Sequence, residues 1–204
     1  MKRNTIVALL IVAVMAIIII SSLTSGEENE AYIARIEQER EEKDRDMRIA
    51  EDSPFAPDSV EYKGLNYFPV DRDYKIKAKL EMITNKKIVT LVTSDEGEKQ
   101  YLEFAYAIFD LHDKTNRLLI LETVGGEFDG MLFLAFGDAT SAGETYGAGR
   151  YVELERGGEN SIAIDFNQAY NPYCAYTDGY SCPFPPRENL LEVPIRAGEK
   201  NYDE

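Results

Sequence analysis

The sequence predicts an all-β domain, an antiparallel meander closed into a barrel or folded as a sandwich, preceded by one transmembrane helix and a charged helical stalk. Three observations predict it. Apolar and charged residues alternate in Tyr74-Lys-Ile76-Lys-Ala78-Lys-Leu80-Glu-Met82, the two-residue period of a half-buried strand. Turn-forming residues separate further runs of this kind at Asn85-Lys86, Asp95-Glu96-Gly97, Gly125-Gly126 and Gly157-Gly158, too close together for crossover helices and therefore favouring antiparallel pairing. Residues 6–23, IVALLIVAVMAIIIISSL, carry no charge.

The chain has 204 residues, with 22 Lys+Arg against 37 Asp+Glu and a net charge of −15. Once the apolar and charged N-terminal stretches are set aside, enough remains for one domain with a real core. An acidic surface of this kind excludes nucleic acid as a partner, because phosphate contacts need clustered Lys and Arg. A single histidine, His112, removes most metal and triad chemistry.

Residues 1–5 form a short tip whose Lys2 and Arg3 precede the apolar run, while Glu27, Glu28 and Glu30 follow it. An uncharged run of this length spans a bilayer as a helix, and the positive-inside bias places the N-terminus in the cytoplasm and the rest outside. The run is longer than a signal-peptide core and lacks a good small-x-small cleavage site, so residues 6–23 read as a retained signal anchor rather than a cleaved leader. The expected partner is thus the membrane, crossed once, and the expected localisation is the inner membrane of the cell envelope.

Residues 24–52 read as the stalk. The stretch from 27 to 50 contains no Gly or Pro and is rich in Glu, Arg and Lys, good helix formers. Its apolar positions, Ile33, Ile36, Met47 and Ile49, are too few for a sustained coiled-coil seam, which favours a solvated spacer with room for a protein partner. Ser53-Pro54 and Ala56-Pro57 end the helix, and residues 53–204 form the β domain. Strands are predicted at 65–70, 74–82, 87–93, 100–109, 117–124, 131–137, 150–154, 162–166 and 190–196, with Asp110 to Asn116 as a turn. Pro194 cannot donate to a ladder, which places the last strand at an edge.

No catalytic residue, metal or cofactor is assigned. The sequence has neither HExxH nor GxSxG. His112 stands in a polar turn, and Gly147-Ala-Gly149 leads into a strand rather than into a phosphate-binding helix N-terminus. Cys174 and Cys182 flank a short loop containing Asp178-Gly179 and in an exported domain read as a disulfide.

The segment from Asp138 to Lys200 is more distinctive. It contains Asp138-Ala-Thr140, Glu144-Thr-Tyr-Gly-Ala-Gly-Arg-Tyr151, Asp165-Phe-Asn-Gln-Ala-Tyr-Asn-Pro-Tyr-Cys-Ala-Tyr176, Ser181-Cys-Pro-Phe-Pro-Pro186, Glu188-Asn189 and Ala197-Gly-Glu-Lys200, with Gly64-Leu-Asn-Tyr-Phe68 upstream. This arrangement resembles the DUF1684 family over roughly residues 50 to 202, bacterial and archaeal proteins without an established biochemical function. One departure is local, because the glycine expected at position 142 is Ala142, followed by Gly143.

Polar groups set among aromatics are costly unless paired. Asp138, Thr140, Tyr146, Arg150, Asp165, Asn167, Tyr170, Asn171 and Asn189 are therefore the candidate site. They read either as a buried scaffold in which Arg150 bridges Asp138 or Asp165, or as the lining of a cleft for a small polar or anionic ligand. The alternative is a carboxylate-dependent hydrolase acting on an envelope glycan or other polar substrate, with Glu144 and Asp165 as acid and base.

Overall fold

In the computed structural model, residues 28–55, 62–126, 128–158 and 160–202 are described. The chain divides into two compact units, residues 1–40 and 41–204. One helix, residues 28–49, has the unit boundary within it. In its first part, Arg35 and Glu39 form an ion pair one turn apart, as four-residue spacing allows.

The anchor expected at residues 6–23 lies outside the described residues. Among those described, no helix is long and apolar enough to cross a membrane, and the 28–49 helix has charged side chains throughout. The expected fold class is corrected to a mostly β half-barrel with one charged helix. The single membrane span, the membrane as partner, and the inner-membrane localisation with a cytoplasmic N-terminus are withdrawn with it.

The second unit is built on seven strands: β1 (Lys75–Met82), β2 (Ile88–Val92), β3 (Glu98–Leu111), β4 (Lys114–Thr123), β5 (Leu132–Phe136), β6 (Arg150–Leu154) and β7 (Ser161–Asp165). They form one sheet in the order β6-β5-β4-β3-β1-β7, with β2 paired to the start of β3, and every pairing is antiparallel. β6 and β7 stand at opposite ends of this single sheet, and among the described strands no pairing joins them, so the sheet is a half-barrel rather than a closed barrel or a sandwich. The predicted alternation holds to Leu80, with Ile76, Ala78 and Leu80 buried and Lys75, Lys77 and Lys79 exposed, but fails at Met82, which is exposed.

The predicted turn from Asp110 to Asn116 is much tighter. β3 runs to Leu111 and β4 starts at Lys114, with Leu111 paired to Lys114. His112 and Asp113 both have positive φ, 52° and 57°, the backbone of a type I′ hairpin, whose twist matches that of the flanking strands.

Two predicted strands, 65–70 and 190–196, are not strands. Each contributes only an isolated bridge, Tyr67 to Glu199 and Gly137 to Leu190. Instead, Leu191, Val193, Ile195 and Ala197 pack into the main core with Ile76, Leu134 and Phe166. This C-terminal segment fills the half-barrel without adding a strand, so Pro194 lies in an extended plug and not at a sheet edge.

The end of the 28–49 helix packs onto the same unit. Met47 joins Phe55 and Tyr176 in a small core with Tyr62 and Tyr202 beside it. The Asp44 carboxylate accepts from the Tyr62 hydroxyl and from the Leu65 amide, 3.0 Å away.

Candidate functional site

Arg150 opens β6 on the core face, two residues before buried Val152. Gly149 makes its entry possible. Gly149 has φ +92°, and a Cβ there would meet Pro185 Cγ at 2.5 Å and the Phe136 carbonyl at 2.7 Å. Only glycine combines that backbone with that approach.

The Arg150 guanidinium is 1% exposed. It donates to Asp138 Oδ2 at 3.0 Å and to the carbonyls of Ile195 (2.8 Å), Ala197 (2.5 Å) and Glu199 (3.0 Å). Burial pulls its pKa below the usual value while the Asp138 charge opposes that shift. Asp138 Oδ1 accepts from the Thr140 amide, the Thr140 hydroxyl and the Ile195 amide. Asp138, Thr140 and Arg150 therefore form one buried unit that ties β6 to the plug.

The other candidates fall into separate groups. Asp165 caps a 3-10 turn, Phe166–Gln168, through the Asn167 amide. The Asn167 side chain exchanges two bonds with the Asp71 backbone, at 2.9 and 2.7 Å. Asn171 donates to Glu199 Oε1 at 3.1 Å and to the Lys200 carbonyl at 2.8 Å. Tyr170 pairs through its backbone with Tyr151, under the Lys43 ammonium 4.6 Å from its ring centroid.

Asn189 accepts from the Leu119 amide at 2.7 Å and donates to the carbonyls of Leu119 and Ala135 at 2.9 and 2.8 Å. β4 and β5 pair only at Leu121 with Phe133 and Glu122 with Leu132. Continuing that register would bring Leu119 opposite Ala135, and the Asn189 amide fills that place.

Tyr146 donates to the Cys174 carbonyl. With Tyr151 and the Cys174–Cys182 disulfide it lines a space of about 10 Å³, room for one water at most. Among the described residues no group of His, Cys, Asp and Glu is arranged to hold a metal ion.

A larger cavity lies elsewhere, where the loop after β6 crosses the open side of the half-barrel. It has a volume of about 310 Å³ and walls formed by Leu80, Met82, Phe104 and Ile162. Gly157 and Gly158 form its lip, and a side chain built on Gly158 would meet nothing within 4 Å. Two cations sit over the Phe104 ring, Lys86 at 4.9 Å and Arg156 at 5.1 Å. Both reach Glu122, Arg156 at 3.2 Å and Lys86 at 3.6 Å, and Arg156 also donates to the Gly130 carbonyl at 2.6 Å.

None of these mouth residues is a sequence-derived candidate. Phe104 and Leu80 look like ordinary strand residues, and Lys86, Glu122 and Arg156 are far apart in the chain. Nor is Glu199 a sequence-derived candidate, although it stands in the distinctive Ala197-Gly-Glu-Lys200 motif. It is 1% exposed and receives Lys43, Tyr176 and Asn171.

The family described as "Protein of unknown function (DUF1684)" matches residues 60–200. The chain belongs to that family. The family match therefore covers the half-barrel, the plug and both groups of residues described above. The solution NMR structure of the uncharacterized protein from gene locus rrnAC0354 of Haloarcula marismortui is similar, at 36% identity and a TM-score of 0.64, over 85% of this chain and 96% of that one. Comparison with curated proteins returns no match.

Proposed function

We propose that this DUF1684 domain is a small-ligand-binding module whose ligand enters the mouth of the half-barrel, and that the polar residues of the 138–200 segment form the scaffold behind it. The cavity of about 310 Å³ carries this reading. Its volume falls at the low end of small-molecule sites, and apolar walls with one charged lining residue, Arg156, are the usual composition of such sites. The scaffold role is supported by burial, because Asp138, Arg150, Asn167, Asn171 and Asn189 are all less than a tenth exposed and their bonds run to the protein's own backbone and side chains.

The hydrolase reading gains no support from the geometry. Glu144 lies on the surface with both oxygens 3.0 Å from Arg196 Nε. Hydrogen bonding to that guanidinium holds its carboxyl below the usual range, the wrong direction for a general acid. Asp165 is committed to its turn.

The sequence contains no tryptophan, so Met82→Trp places a single reporter at the rim. Titrating the full chain with decanol should shift its emission to the blue, and adding Gly158→Leu should abolish the shift by filling the mouth. An emission unchanged by decanol would overturn the proposal.

A further inference from the structure

Resting on the same mouth, we infer that its ligand is an amphipathic anion, an apolar body with a carboxylate or similar head. The charge arrangement at the rim is the reason. Lys86 and Arg156 share one carboxylate, Glu122, so among the described residues the pair carries one unmatched positive charge over Phe104.

The two cations lie over the ring of a cavity-wall residue, and the Arg156 side chain, 52% exposed, remains open to a ligand from solvent. An apolar body in contact with Leu80, Phe104 and Ile162 would bring its head to that rim. There a carboxylate accepts from the Arg156 guanidinium and balances the second charge, and charge-assisted bonds of this kind are stronger than neutral ones. Glu122 competes for the same donors, so it acts as a resident counter-ion that the ligand's head partly displaces.

The test uses the full-length Met82→Trp chain with three ligands of equal chain length: decanoate, decanol and decylamine. Decanoate should half-saturate the emission shift at a concentration about tenfold lower than decanol, equivalent to about 1.4 kcal/mol, and decylamine should be weakest. Arg156→Gln should remove the preference for decanoate over decanol, bringing the two half-saturation concentrations together. Glu122→Gln should strengthen decanoate binding. Decanol binding with no preference for decanoate would overturn the inference and leave the cavity as an apolar site. Failure of all three ligands would overturn the cavity reading itself.

Discussion

Replacing Arg150 with alanine tests the scaffold most directly. The change strands the Asp138 carboxylate and the carbonyls of Ile195, Ala197 and Glu199, all of which now face one guanidinium. Hydrogen bonds to charged groups contribute about 1.5–3 kcal/mol each but do not add when they share a donor group. Breaking a buried pair by removing one partner costs about 3–5 kcal/mol, and the void left by a large side chain adds to that. We expect a loss on the order of 4 kcal/mol, a large fraction of a typical domain's stability. With a urea slope of about 2 kcal/mol/M the midpoint falls by about 2 M.

Arg150→Lys should lie between, because an ammonium keeps the charge but cannot reach acceptors in several directions at once. Urea unfolding followed by tyrosine fluorescence gives both numbers. A loss below about 1 kcal/mol for Arg150→Ala would refute the reasoning, since solvated ion pairs are worth no more than that.

Three further outcomes are expected. Asn189→Ala leaves the Leu119 amide and the Leu119 and Ala135 carbonyls unpaired between β4 and β5, and should cost about 2–4 kcal/mol; hydrogen exchange at Leu119 should quicken with it, and an unchanged rate would show that the amide does not bridge these strands. Ala142 has φ 62°, a conformation that costs a non-glycine residue roughly 1–2 kcal/mol, so Ala142→Gly should raise the urea midpoint, and a lowered midpoint would count against strain there. The Asp44 carboxyl is pushed up by burial but held below its usual value overall by the Tyr62 hydroxyl, the Leu65 amide and Arg48. A lowered folded-state value means stability present above the ordinary carboxylate value of about 4 and lost as the pH falls through the lower one; Asp44→Asn should flatten that acid limb, and an identical limb in the variant would remove Asp44 from the account.

The sheet was legible because its signal is local. The alternation over 74–82 maps directly onto β1, and residues 117–124 read as apolar because β4 is buried on both faces, with Leu118 and Ile120 in one core and Leu119 and Leu121 in another. Residues 190–196 have the same apolar spacing as a strand, and only tertiary placement shows that they plug the half-barrel. The glycine expected at 142 has a structural reason, since Ala142 occupies the left-handed region that glycine prefers. The mouth was not legible at all, because Phe104, Lys86, Glu122 and Arg156 meet only when β3, the β1–β2 connection, β4 and the loop after β6 come together.

The density of polar motifs between Asp138 and Lys200 follows from the way the half-barrel is filled. A strand added to the sheet would satisfy its backbone through a ladder, but the plug from Leu190 to Lys200 does not run as a strand, and its buried backbone groups still need partners. Scattered backbone bonds supply some, such as Leu191 to Gly137, Ala139 to Val193 and Lys200 to Asn66, and side chains supply others: Arg150 for three carbonyls, Asp138 for the Ile195 amide, and Asn171 for the Lys200 carbonyl. Asn189 performs the same service where β4 and β5 part. Each of these roles requires one residue type with its atoms in one place, which gives the segment the sequence appearance of a binding site. The mouth makes no such demand, since an apolar wall tolerates exchange among similar side chains. In this fold the motif-rich residues therefore mark where the polypeptide binds itself, and a ligand-binding surface is better sought where the half-barrel is left unfilled.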